Sequence, residues 1–91
     1  MKPITTLVTR VLAEYDLKGL IASGAPEDEY LVEAEPITAF IINNRYKLSE
    51  NLLADNIQYV FIRYFSELID YNNCILVARD IMKRLNEQGV M

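Results

Sequence analysis

The sequence predicts an all-α protein, a compact four-helix bundle that forms one domain over residues 1–91. Apolar residues recur with the period of an α-helix in four separate segments, which is the main reason for this prediction. The hydrophobic content is 52% and the charged content is 24%, as in an ordinary globular chain with a core. The sequence has neither the strict apolar–polar alternation of β-strands nor an internal repeat.

The first predicted helix covers about residues 3–15. Pro3 suits the first turn of a helix, because the amide hydrogen that it lacks would have no helical partner there. The apolar residues that follow at helical spacing are Ile4, Leu7, Val8, Val11, Leu12 and Tyr15. The threonines between them are poor helix formers, so packing against other helices must stabilise this segment.

The second predicted helix covers about residues 27–43 and carries a proline in its interior. The acidic run at 27–29 opposes the positive end of the helix dipole and favours a start there. Pro36 removes a hydrogen bond and clashes with the preceding turn, so we expect a kink near it. The alternative is a start between residues 31 and 33, which would put Pro36 in or near the first turn. The expected inner face consists of Tyr30, Ala34, Ile37, Phe40 and Ile41.

The third predicted helix, about residues 49–69, contains the longest apolar-periodic run, and the other helices are expected to pack against it. Ser49 is placed to cap its first turn. The expected core face consists of Leu53, Ile57, Val60, Phe61, Tyr64, Phe65 and Leu68. Tyr59 and Ile62 fall outside this face. They either lie at the rim of the core or form a second surface for another helix or subunit.

The fourth predicted helix covers about residues 73–88. The polar run at 70–73 breaks the preceding helix and offers a cap for this one. The apolar stripe consists of Cys74, Ile75, Ala78, Ile81, Met82 and Leu85. Gly89 then suits the end of the helix.

The charge of the chain argues against two classes of partner. The net charge is −4 and the isoelectric point is about 4.7, whereas nucleic acids and anionic membranes attract basic surfaces. We also find neither a signal peptide nor an apolar run near the ~20 residues that span a bilayer. The sequence therefore predicts a cytoplasmic protein that binds neither nucleic acid nor a membrane.

The residue types available limit the chemistry of the chain. There is no histidine, which removes the commonest general base and the usual partner of a nucleophilic serine or cysteine. Cys74 is the only cysteine, so an internal disulfide and a thiolate metal cluster are excluded. We predict no cofactor, no metal site and no catalytic residue. Cys74 is expected to be a small buried apolar residue; the alternative is a redox-sensitive thiol near a helix N-terminus.

One short motif suggests an enzyme. Glu67-Leu-Ile-Asp70 has the Glu-x-x-Asp form that helical nucleotide pyrophosphohydrolases of the MazG type place on a helix to hold magnesium. Those enzymes also need an earlier Glu-x-x-Glu pair, which this sequence lacks. A metal clamp without half of its ligands cannot order a triphosphate. Metal-dependent nucleotide hydrolysis is therefore the weaker alternative.

The long connection after the first helix, together with the acidic turn that follows it, is the candidate interaction edge. Its residues are Tyr15, Asp16, Gly24, Pro26, Asp28, Glu29 and Tyr30. A structural explanation is sufficient for several of them, because glycine permits a positive φ, proline fixes the helix entry and the tyrosine packs. The other interpretation is a recognition edge formed by the loop and the acidic turn, since long loops are often functional.

Two blocks of this edge resemble a known family. The runs Tyr15-Asp-Leu-Lys-Gly-Leu20 and Gly24-Ala-Pro-Glu-Asp-Glu-Tyr30 resemble the pattern of the YugE-like family, Trp-Asp-Pro followed by Gly-Ala-Pro-x-Asp-Glu-Tyr. The second block matches in full, whereas the first has Tyr15 in place of Trp and Leu17 in place of Pro. The resemblance implies a small bacterial helical domain. It implies no activity, because the family is a domain of unknown function.

The leading functional prediction is a non-catalytic protein–protein interaction module whose partner is another protein or a second copy of the chain. A toxin-neutralising immunity protein is an alternative within the same binding class, since such proteins are small, acidic and helical. Nucleotide hydrolysis around Glu67 and Asp70 is the alternative in the enzyme class.

Overall fold

Four α-helices make up the regular structure of residues 2–89, the part of the chain that the computed structural model describes. They are α1 (Lys2–Tyr15), α2 (Leu31–Asn43), α3 (Glu50–Phe65) and α4 (Tyr71–Glu87). Within these residues there is no β-strand. The predicted all-α four-helix bundle is confirmed.

The helices are arranged as a closed ring around one core. α1 packs against α2, α2 against α3, α3 against α4, and α4 against α1. The molecule measures 35 × 22 × 18 Å. All four helices contribute fully buried side chains to the core, among them Val8, Leu12, Ile37, Ile41, Leu53, Phe61, Ile81 and Leu85. Because each helix has only two neighbours, each also keeps one face directed towards solvent.

α2 begins later than the predicted position, at Leu31 instead of residue 27. The acidic residues before it form turns, in which the amide of Glu29 donates to Pro26 and that of Leu31 to Asp28, each at 3.0 Å. The alternative start between residues 31 and 33 therefore agrees with the structure. Pro36 lies inside the helix, which continues through it to Asn43. The kink expected there stays a prediction.

The connection between α3 and α4 lies earlier in the sequence than predicted. α3 ends at Phe65, because Ser66 adopts a left-handed conformation with φ of 57°. Leu68, expected in the core stripe, is consequently 75% exposed, and Tyr64 is 45% exposed. α4 begins at Tyr71 instead of residue 73, since the carboxylate of Asp70 accepts a 2.8 Å hydrogen bond from the amide of Asn72.

The lengths and composition of the helices also bear on membranes. Among residues 2–89, no helix combines the length and the apolar character that crossing a bilayer requires.

Candidate functional site

Asp16 organises the connection between α1 and α2. It follows the last residue of α1 in a left-handed conformation with φ of 49°. Its Oδ1 accepts hydrogen bonds from the amide of Ile21 at 3.0 Å and from the hydroxyl of Tyr30 at 2.7 Å. Its Oδ2 accepts from the amide of Ala22 at 2.9 Å. One carboxylate thus holds the beginning, middle and end of the connection together.

Tyr30 is a core residue. Its side chain is fully buried, and its hydroxyl accepts a 3.1 Å hydrogen bond from the amide of Lys18 while it donates to Asp16. Burial, together with the bond to Asp16, raises the pKa of Tyr30 to about 12. The ring and hydroxyl of Tyr30 are both used within the fold, which agrees with its expected place on the inner face of the second helix. Its part in an interaction edge stays a prediction.

The same contacts determine the protonation of Asp16. Desolvation would raise the pKa of this carboxyl group, but hydrogen bonds from Tyr30, Ala22 and Ile21 outweigh it and lower the pKa. Asp16 and Tyr30 belong to the two sequence blocks that carry the YugE-like resemblance. Their hydrogen bond joins the two blocks in the fold of this chain.

Gly24 ends a helical turn within the connection. The amide of Ala25 donates to Leu20 at 2.9 Å and that of Gly24 to Ile21 at 3.0 Å, which is the pattern of a Schellman motif. Gly24 has φ of 107°, a value that residues with a Cβ rarely adopt. Pro26 follows two residues later, a common position for proline after such a motif. Both residues therefore shape the loop.

A half-open groove of about 530 Å³ lies between α1 and residues 21–31. Its lining residues are Thr6, Thr9, Arg10, Ala13, Glu14, Ile21, Glu27, Asp28 and Leu31. Of the candidate interaction edge, only Asp28 is among them. The groove was missed in the sequence because its two walls, residues 6–14 and 21–31, show no common pattern.

The lining of the groove combines apolar side chains with an excess of carboxylates. Ile21 and Leu31 provide apolar surface, and Leu31 is 41% exposed. Glu27 and Asp28 are exposed, whereas Glu14 is engaged by Arg84 of α4 at 2.5 Å. With Glu14 paired to Arg84, the carboxylates of Glu27 and Asp28 still outnumber the one guanidinium in the lining, that of Arg10, so the potential of the groove favours a cationic ligand.

The second candidate surface lies on the outer face of α3. Tyr59 is 59% exposed and Ile62 is 41% exposed. Both side chains are accessible to a partner, although partly exposed apolar residues are common on monomeric proteins. Their role in binding stays a prediction.

The residues of the hydrolase alternative both have partners within the fold. Glu67 forms an ion pair with Lys18, whose ammonium group also lies 5.5 Å from the centre of the Phe65 ring. Asp70 caps α4. Neither acid lies on a helix, because residues 66–70 connect α3 and α4. Within residues 2–89, no three His, Cys, Asp or Glu side chains are grouped closely enough to hold a metal ion.

Cys74 is fully buried in the core. Burial, and to a lesser extent the charge of Asp70, raises the pKa of its thiol to about 11. The reactive thiolate form is therefore disfavoured at neutral pH. The position agrees with the packing role that the sequence predicts for Cys74.

A buried acid was not anticipated from the sequence. Glu33 is only 6% exposed, and its Oε1 has no hydrogen-bond partner within the described residues. Burial, and secondarily the charge of Glu29, raises the pKa of Glu33. The spacing of Glu33 in the sequence could have indicated its burial, because Glu33 lies three residues after Tyr30 and four before Ile37, on the buried stripe of α2.

Comparisons with protein-family models, with curated proteins and with solved structures found no significant match to this chain. The resemblance to the YugE-like family therefore stays a prediction.

Proposed function

We propose that this chain is a non-catalytic protein–protein interaction module that binds a segment of its partner in the groove between α1 and residues 21–31. The observation that carries the proposal is the groove itself, with its volume of about 530 Å³. Apolar lining next to accessible carboxylates is the combination by which proteins hold and orient a peptide segment. The expected setting is the bacterial cytoplasm.

The chemistry of the groove defines the segment that it would accept. An apolar side chain of the partner packs against Ile21 and Leu31, and a neighbouring lysine or arginine lies near Glu27 and Asp28. These two acids are exposed, so their attraction contributes more to the association rate and to specificity than to affinity. Binding should therefore weaken as the salt concentration rises.

Affinity capture with a matched pair of variants tests this proposal. Asp28→Lys reverses a charge in the groove, whereas Glu87→Lys makes the equivalent change at the exposed end of α4. We expect a bacterial lysate to yield a stoichiometric partner with the wild-type chain and with Glu87→Lys. The purified partner should associate more slowly with Asp28→Lys and bind it with an affinity lower by up to about ten-fold at low salt.

The same experiment can reject the proposal. If Asp28→Lys and Glu87→Lys retain the partner equally, the groove is not the binding site. If the wild-type chain captures nothing, the interaction module itself is contradicted. The identity of a captured partner also tests the immunity-protein alternative. An immunity protein binds and neutralises a toxin, so the captured partner would have to be a toxin.

A further inference from the structure

α2 differs from the other helices in the composition of its solvent-facing side. We define the α2 outer face as Val32, Pro36, Ala39 and Asn43. Val32 is 55% exposed, Ala39 and Asn43 are exposed, and Pro36 is half-buried. Leu31, Glu35 and Ile42 flank this face. Glu35 is the only exposed charged residue within α2, since Glu33 is buried.

The outer face of α4 provides the comparison. Its exposed residues include Asn72, Asn73, Leu76, Arg79, Lys83 and Asn86. These are mostly polar or charged, as expected for a helix face in contact with water. Three of the four residues of the α2 outer face are apolar and none is charged, so this face is suited to contact with another protein surface.

The spacing of the α2 outer face is that of a helix–helix seam. Its residues follow one another at intervals of four, three and four, the alternation by which two α-helices pack along their length. Pro36 and Ala39, at the centre, have short side chains and permit close approach of a second backbone. α2 has 13 residues and is about 20 Å long, enough for such a contact.

The charges at the two ends of α2 are opposite. Glu29 precedes the helix and is exposed, whereas Lys47 follows it and is also exposed. Two copies of α2 packed antiparallel would therefore place Glu29 of each copy near Lys47 of the other. A two-fold axis forms the Glu29–Lys47 pair at both ends of the interface, because such an interface uses the same surface on each copy.

We propose that a second copy of this chain docks on the α2 outer face, with the two α2 helices antiparallel about a two-fold axis between Pro36 and Ala39. The dimer joins the seam residues at the centre and pairs Glu29 with Lys47 at both ends. This proposal goes beyond the groove and does not depend on it, since Glu29, Ala39 and Lys47 do not line the groove.

Sedimentation equilibrium over a range of concentrations tests the dimer. The wild-type chain should approach twice its mass of 10.5 kDa. Ala39→Glu places an uncompensated carboxylate at the centre of the seam and should weaken association by about ten-fold or more. Leu76→Glu, a comparable change on α4, should leave it unaltered. Circular dichroism should show that each variant remains helical.

The antiparallel arrangement has a test of its own. Glu29→Lys alone, or Lys47→Glu alone, brings like charges together at both ends and should weaken self-association. An equimolar mixture of the two variants should restore a dimer, because both ends of the mixed pair are then complementary. Both proteins keep their α2 seam intact, so loss and recovery report on charge pairing alone.

Several results would overturn the proposal. If the wild-type chain stays monomeric at all concentrations, the dimer is contradicted, and the α2 outer face contacts a different protein or solvent. A dimer broken by Tyr59→Glu but not by Ala39→Glu would place the interface on α3. Failure of the charge-reversed mixture to recover association would exclude the antiparallel pairing.

Discussion

The hydrogen bond from the Tyr30 hydroxyl to Asp16 joins residues 14 positions apart in the sequence. Tyr30→Phe keeps the buried ring but removes the donor to Asp16 and the acceptor for the Lys18 amide. We expect the free energy of unfolding to fall by about 1–3 kcal/mol, the cost of leaving such partners unsatisfied. Urea denaturation followed by circular dichroism measures it. Tyr46→Phe is the control, because Tyr46 is 96% exposed and should change stability little.

The same variant should alter the response to acid. The folded state lowers the pKa of Asp16 below its ordinary value of 3.8, so this carboxylate contributes stability above that value. The contribution is lost as the pH falls through the lowered pKa. Tyr30→Phe removes one cause of the shift and should make the loss of stability with acid less steep. An equally steep acid dependence in both proteins would contradict this role for the hydrogen bond.

The effect of pH on the stability contributed by Glu33 should be opposite to that for Asp16. Its folded-state pKa is raised above 4.5 by burial, so the charged form is disfavoured in the folded chain. Stability contributed by this group therefore falls as the pH rises from 4.5 through the raised pKa. Glu33→Gln should raise the free energy of unfolding at pH 7, and the gain should vanish in acid. Glu35→Gln is the matched control, since Glu35 is exposed.

At the scale of helices, side-chain caps fix the start of α3 and α4. The Ser49 hydroxyl accepts a 3.1 Å hydrogen bond from the amide of Leu52. Ser49→Ala should destabilise the protein by about 1 kcal/mol, as for other N-cap serines. Thermal unfolding of Ser49→Ala and Ser49→Thr, which retains the hydroxyl, distinguishes the cap from a general effect of substitution. Equal losses in both variants would argue against a capping role.

The helix ends also show where sequence patterns reach their limit. The cap at Ser49 was predictable from one residue and its apolar context. The start of α2 was predictable only as one of two alternatives, because the acidic run at 27–29 suits a helix start and a turn equally well. The outcome was decided by hydrogen bonds of Pro26 and Asp28 and by the burial of Tyr30. The early end of α3 has a similar cause, since apolar periodicity continued to Leu68 beyond the turn at Ser66.

At the scale of the whole molecule, the bundle was predictable and the candidate groove was not. Four periodic segments are enough to predict four helices that share a core. The groove depends on how residues 6–14 of α1 lie against residues 21–31. The sequence of either segment alone does not predict this packing. Tyr30 illustrates the difference, because its spacing predicted the inner face of the second helix, where it is buried, whereas its hydrogen bond to Asp16 depends on the path of the connection.

Phe61 connects the core of the bundle to the connection between α1 and α2. It is fully buried, and its ring centre lies 6.0 Å from that of Tyr30 and 5.4 Å from that of Phe65. Phe61→Ala should cost about 3–5 kcal/mol, as for other buried aromatic residues. Tyr59→Ala, on the exposed face of the same helix, should change the free energy of unfolding by about 0.5 kcal/mol or less.

The manner of unfolding tests whether the ring of helices behaves as one unit. A small domain gains about 5–15 kcal/mol in total from folding, so the loss of Phe61 removes a large fraction of it. Since all four helices share this core, circular dichroism and tyrosine fluorescence should report the same, lower unfolding midpoint in Phe61→Ala. If fluorescence instead changed before helicity, the connection containing Tyr30 would unfold separately, and the Asp16–Tyr30 bond would stabilise only a local segment.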